Sequence, residues 1–189
     1  WFLDSLINGN LKSLKEFAEG VIERGLKIKW AGFARCDERM DLEYLKLLNK
    51  SGCFILKIGA ESASNNVLSD MSKRMTREIM EQNFSDFNKV GIGVISTWIN
   101  GFPTEKEIDH KSTLTFLCRN REHIIGAASA AGFTIYAENI VGQNPERFGI
   151  ANFTYDMNWI RDDFSFGKPH MLCRVKNYEI LLQEINDFS

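Results

Sequence analysis

The chain has 189 residues, 44% hydrophobic and 12% aromatic, with 23 basic against 25 acidic residues and a net charge of −2. That length buries a real core and is most simply one domain, and the near-balanced charge gives no global field for nucleic acid or anionic lipid. No apolar run approaches the roughly 20 residues needed to cross a bilayer, and the start at Trp1 has neither a basic n-region nor a cleavage site, so a cytoplasmic chain without a membrane or nucleic-acid partner is expected.

Asn10 is placed to cap a helix from Leu11 to Arg24, because Leu11, Leu14, Phe17, Ala18 and Val21 recur at helical spacing and Gly25 follows as a stop. Ile28 to Ala34 reads as a strand. Asp41 caps a second helix carrying Leu42, Leu45 and Leu48, which Gly52 ends before an apolar strand from Phe54 to Ile58. A third helical region runs to Val90 with Ile79, Phe84 and Phe87 inward, and Gly93 to Ile99 is the next strand. Thr104 with Glu107 three residues on is a capping box for a helix ending near Asn120. Ser129 to Tyr136 follows as a strand, and Met171 to Phe188 as a final helix with one narrow apolar stripe.

Strand and helix alternate, and the strands are apolar on both faces. This is the pattern of parallel β/α units, since hairpins would alternate in polarity and turn in two residues. The segments just after each strand then gather polar groups on one edge: Asp4 and Ser5, Arg35 and Asp37, Glu61 and Ser62, Asn100 and Gly101, Glu138 and Asn139. Ligands bind at the carboxyl ends of parallel strands because the exits converge there. The same residues also suit ordinary turns and helix caps, so spacing leaves both roles open.

Cys36, Cys53, Cys118 and Cys173 lie far apart and form no CxxC-like pair, and His110, His123 and His170 show no metal spacing, so no metal site is expected within the chain. Cys36 stands at a strand exit, where it is either a reactive thiol or a small buried hydrophobe.

Four segments together resemble the radical S-adenosylmethionine superfamily, in the group whose members carry a cobalamin-binding domain ahead of the radical barrel. They are Leu3 to Asn10; Ser51 to Cys53 with Gly59 to Ser62; Gly101 to Glu105 before its helix; and Asn144 to Ile150. The resemblance spans most of residues 1–150 and implies an α/β fold, a partial TIM-like (β/α) barrel whose mostly parallel sheet is flanked by helices. Residues 151–189 are then a C-terminal extension with a terminal helix. It also implies a 4Fe–4S cluster on three cysteines, S-adenosylmethionine bound to one iron, reductive cleavage to a 5′-deoxyadenosyl radical, and a methyltransferase or oxidoreductase reaction, with cobalamin as a further cofactor.

Carried onto this sequence, the resemblance puts Asp4 and Ser5 near the methionine moiety, and Glu61 and Ser62 at the ribose and methionine. Ile99 to Gly101 would lie against adenine, Tyr136 near the sixth-strand position, and Arg35 and Asp37 at the same mouth. Thr97 departs from the family, standing where a glycine often opens the fifth-strand motif. No Cys-x3-Cys-x2-Cys occurs. The chain is therefore expected to be a C-terminal piece of a larger enzyme, lacking the first β/α unit and inactive alone, with a small-molecule substrate and an exposed sheet edge open to self-association. The rival reading is a noncatalytic α/β interaction module that has lost the cluster. A third is an ordinary barrel enzyme using Glu61 and Asp37 as acid and base.

Overall fold

The structure is a computed structural model that describes residues 1–133, 135, 136 and 138–150. The expected terminal helix and the extension it belongs to lie outside the described residues.

Helix α1 (Leu11–Glu23) starts where Asn10 accepts hydrogen bonds from the N–H groups of Lys12 (3.1 Å) and Ser13 (3.2 Å), and it buries Leu14, Ala18 and Val21 on one face. Strand β1 (Trp30–Ala34) follows. Asp41 then accepts from Tyr44 N–H at 2.8 Å to open α2 (Leu42–Lys50), whose Leu45 and Leu48 are fully buried. Strand β2 (Cys53–Glu61) runs three residues past the expected end. The third helical region is two helices, α3 (Asn65–Asp70) and α4 (Arg77–Lys89), split by the 71–76 segment. Thr76 caps the second, which buries Met80, Phe84 and Phe87, while Ile79 is half-buried at the edge of the core. Strand β3 (Gly93–Asn100), helix α5 (Glu107–Arg119), strand β4 (Gly126–Gly132) and the short α6 (Ile140–Gln143) complete the order.

Two expectations shift. The fourth strand starts three residues and ends four residues earlier than Ser129 to Tyr136, because Gly126 to Gly132 is the stretch that pairs along Ile95 to Asn100. Helix α5 is not boxed by Thr104 and Glu107. A turn from Phe102 C=O to Glu105 N–H (2.8 Å) delays the start until Lys106, whose N–H donates to the Asp109 carboxylate at 2.9 Å. Thr104 instead donates its hydroxyl to Asp70, tying the turn to α3.

The four strands form one sheet in the order β1-β2-β3-β4, every pair parallel and every crossover through helix. This α/β arrangement is a partial barrel wall. Its helix-facing side carries Leu56, Ile58, Ala60, Val94 and Trp98, all at most 1% exposed, packed on Leu45, Leu48, Phe84, Phe87 and Phe116. The alternate residues Ile55, Lys57, Gly59 and Glu61 on β2, and Ile95, Thr97 and Ile99 on β3, are only half-buried on the other side. Edge-on ring contacts of Phe116 with Phe84 (5.7 Å) and of Phe2 with Phe17 and Trp30 (5.2 and 5.5 Å) lock the helix layer at both sides of the sheet. A smaller cluster of Val67, Phe102, Ile135, Val141, Phe148 and Ile150 closes the carboxyl end of the wall. None of the described helices is long and apolar enough to cross a membrane.

His110 on α5 is 2% exposed, and neither ring nitrogen has a hydrogen-bond partner among the described residues. Burial holds its pKa below the ordinary 6.5, so the folded protein keeps the ring neutral. A depressed folded pKa gives stability that is complete above about 6.5 and lost as the pH falls from there toward the folded value. Urea unfolding is expected to show lower stability at pH 5.5 than at pH 7.5, and His110→Leu to flatten that difference. Asp37 and Asp86 have pKa values already below the carboxylate range and do not contribute in this window.

Candidate functional site

A cavity of about 460 Å³ opens at the carboxyl ends of β1, β2 and β3, lined among others by Ser5, Arg35, Lys57, Gly59, Glu61, Lys73, Arg74 and Thr97. Its volume falls in the range of small-molecule sites. Three strands supply its floor, and the loop between α3 and α4 supplies the far wall through Ser72 to Met75.

Glu61 is the most unusual residue of this cavity. It ends β2 with φ 63°, and Ser62 N–H donates to Ala60 C=O at 2.8 Å across it, so the chain makes a γ-turn centred on a non-glycine residue in the left-handed region. The β2–β3 register shifts at the same point, between Gly59 and Glu61. Such a conformation costs on the order of 1 kcal/mol or more and clusters at functional sites. Ser72 also has a positive φ, 57°, but it closes the end of α3, where Lys73 N–H bonds back to Leu68 C=O at 2.9 Å in the usual helix-terminating manner. Glu61 has no helix end to explain it. The turn carries its carboxylate over the inner face, where Lys73 Nζ lies 3.1 Å from Oε1. The missing side chain of Gly59 leaves room for that carboxylate, since a Cβ there would stand 2.8 Å from Oε1.

Arg35 reaches the cavity because Asn8 holds its backbone. The fully buried Asn8 amide donates to Arg35 C=O at 2.8 Å and accepts from Arg35 N–H at 3.1 Å, which fixes the exit of β1 from both sides. The Leu3 to Asn10 segment thus acts through a buried amide as well as through its polar start. Only the pairing of a buried Asn with a strand exit would have revealed that, and sequence carries no such signal.

The sequence-predicted residues separate into three groups. Ser5, Arg35 and Glu61 come together around the cavity. Ser62 is fully buried on the opposite side, accepting from Ser64 N–H at 3.1 Å and lying 3.4 Å from the Thr113 hydroxyl on α5, so it clamps the loop that carries Glu61. Ile99 is half-buried on the inner face of β3, and Gly101, with φ 73°, donates its N–H to the Glu105 carboxylate. Asp4 is exposed beside Ser5, and Tyr136 is 63% exposed beyond the end of β4. None of these four is among the cavity-lining residues.

Asp37 organises the β1 exit. Arg39 donates from Nε at 2.8 Å and from Nη2 at 2.6 Å, which holds its carboxyl below the usual range, and its N–H donates to Asn83 at 2.8 Å. Cys36 is 1% exposed with its thiol pushed up by burial, which makes it a small buried hydrophobe. Burial also raises Cys53, to about 12, while Cys118 is exposed on α5. Among the described residues no group of three or more His, Cys, Asp or Glu is placed to hold a metal ion, so these side chains do not fit a 4Fe–4S cluster.

Solved structures share this wall. The chain superposes on a radical S-adenosylmethionine methyltransferase, TsrM, from Kitasatospora setae with cobalamin and a [4Fe–4S] cluster bound, with a TM-score of 0.64 at 17% identity, covering 74% of this chain and 28% of that one. The fold is one found in radical S-adenosylmethionine enzymes. OxsB, a cobalamin-dependent S-adenosylmethionine radical enzyme, gives a TM-score of 0.51 at 23% identity over 78% of this chain and 22% of that one. In sequence, the chain is 28% identical over 121 residues to bacteriochlorophyllide d C-12(1)-methyltransferase of Chlorobaculum tepidum, covering 64% of this chain and 26% of that protein. It is 26% identical over 115 residues to an uncharacterized methyltransferase of Pyrococcus horikoshii, covering 61% and 25%. The chain thus spans about a quarter of the length of these curated relatives. No family model matches it.

Proposed function

We propose that this chain forms the S-adenosylmethionine- and substrate-facing wall of a radical S-adenosylmethionine enzyme of methyltransferase type. The observation that carries the reading is Glu61, held in a strained left-handed turn at the carboxyl end of a parallel strand and aimed into a cavity of ligand size. The similarity to two methyltransferases supports the reaction type.

In this reading Glu61 accepts hydrogen bonds from the ribose hydroxyls or the ammonium of S-adenosylmethionine, and Arg35 pairs with its carboxylate. Ser5 and the Thr97 hydroxyl supply further polar contacts. S-Adenosylmethionine, when bound, supplies the methyl or 5′-deoxyadenosyl group. The cluster belongs, in this proposal, to cysteines outside these 189 residues, as does the cobalamin-binding domain; no described side chain is assigned to either group.

The test is anaerobic reconstitution, with iron and sulfide, of the product of the longest open reading frame that contains these residues. Cluster absorbance, release of 5′-deoxyadenosine and a methylated product are expected. If neither cleavage nor binding of S-adenosylmethionine is found, the chain is a noncatalytic α/β interaction module and the cavity residues return to capping and turn roles.

A further inference from the structure

The charge of the cavity does not match the cofactor alone. Arg35, Lys57, Lys73 and Arg74 line it against the single carboxylate of Glu61, in a chain whose net charge is −2. Lys73 already pairs with that carboxylate at 3.1 Å. S-Adenosylmethionine has a sulfonium, an ammonium and one carboxylate, so it is itself a net cation, and a surplus of positive side chains in a concave site opposes its binding.

Lys57 sharpens the mismatch. It sits in the middle of β2 on the inner face, in register with Phe33 on one side and Ile95 on the other. Its position is four residues before Glu61, about 13 Å further down the strand. Its contact among the described residues is with the Phe33 ring, whose centroid lies 5.0 Å from Nζ. Lys57 is half-buried there and forms no ion pair among the described residues, so its charge is open to an anionic partner in the cavity.

We propose that the cavity holds, beside the cofactor, a substrate with two or more anionic groups, carboxylate or phosphate, one of them seated on Lys57 and its apolar body laid over Phe33. This deepens the functional reading above and rests on it. Arg35 or Arg74 takes a second anionic group nearer the mouth, and the anionic substrate neutralises the field that otherwise opposes S-adenosylmethionine. The two ligands are then expected to bind with positive cooperativity.

Calorimetric titration at about 0.15 M salt, where exposed charges are screened beyond roughly 8 Å, tests this with defined probes. The reconstituted product of the longest open reading frame that contains these residues, and its Lys57→Met variant, are titrated with benzene-1,3,5-tricarboxylate, its trimethyl ester, pyrophosphate and S-adenosylmethionine, the last both alone and with the tricarboxylate present. The tricarboxylate is expected to bind and the ester not to, and Lys57→Met to weaken the tricarboxylate by roughly tenfold or more. The urea midpoint of the variant should equal or exceed that of the parent, which shows that it is folded. Stronger binding of pyrophosphate than of the tricarboxylate assigns the anion to phosphate, the reverse to carboxylate. The proposal is overturned if neither anion binds, or if both bind Lys57→Met as they bind the parent. Binding of S-adenosylmethionine with no binding of either anion removes this inference and leaves the functional reading; anion binding with no binding of S-adenosylmethionine, either alone or beside the anion, removes the functional reading and leaves the anion site.

Discussion

Replacing Glu61 is expected to remove most of the affinity for S-adenosylmethionine without unfolding the protein, and two substitutions separate the contributions. Glu61→Gln keeps the side-chain length and the γ-turn but loses the charge. Hydrogen bonds to a charged group contribute about 1.5–3 kcal/mol, so calorimetric affinity should fall by roughly 10- to 100-fold. The lost pair with Lys73 costs little stability, because Lys73 is 38% exposed and such pairs are screened. Glu61→Gly removes the carboxylate and also relieves the left-handed φ of 63°. Its urea midpoint should equal or exceed that of the parent, with a gain of up to about 1 kcal/mol, while affinity is lost. Stability rising as binding falls is the signature of a residue kept strained for function. If both variants bind S-adenosylmethionine like the parent, the turn is only a strand ending and the functional reading fails.

The elements were legible where local chemistry decides them. Asn10 and Asp41 cap helices as their positions predict, and Leu45, Leu48, Phe84 and Phe87 form the core. The split of the third helical region was not legible, because nothing around Met71 to Met75 marks the loop except its function as a cavity wall. Which strand residues face the cavity was also hidden. When both faces of a parallel strand are apolar, its parity is silent, so spacing alone puts Ser62 in the rim although its hydroxyl points to α5. One signal was present: Lys57 is the single charged residue in the apolar run from Phe54 to Ile58, and the residues two and four beyond it are Gly59 and Glu61. Reading parity from Lys57 marks the inner face and excludes Ser62. The Asn8 clamp depends on a tertiary neighbour, the backbone of Arg35, and the γ-turn at Glu61 is a local bond between Ser62 and Ala60 that no glycine at its centre announces.

The wall on which this site is built has one point where a single methyl group should unmake it. Gly52 links α2 to β2 with φ 104°, and a Cβ placed there would stand 2.0 Å from the carbonyl oxygen of Ile28 and 3.0 Å from its carbon. Both are backbone atoms, so no side-chain rotation relieves the contact. Moving residue 28 also disturbs the start of β1, because Trp30 N–H donates to Gly52 C=O at 2.9 Å and the Trp30 indole donates to Ser51. Gly52→Ala therefore combines a disallowed φ with a backbone collision, and a loss of at least about 3 kcal/mol is expected, a fall in melting temperature on the order of 10 °C. Gly91→Ala is the matched comparison. Gly91 has φ 79°, but its nearest neighbour is the Asn49 amide at 3.8 Å, so only the conformational cost remains, about 1 kcal/mol. Thermal unfolding of the two variants side by side isolates the collision from the strain. Because Lys57 stands on β2 and Arg35 directly follows β1, the two strands that meet at this crossing, Gly52→Ala should also weaken the binding of S-adenosylmethionine, whereas Gly91→Ala should leave it unchanged. Equal melting temperatures for the two variants would show that the β1–β2 junction yields to the added methyl, and that this end of the sheet does not fix the cavity.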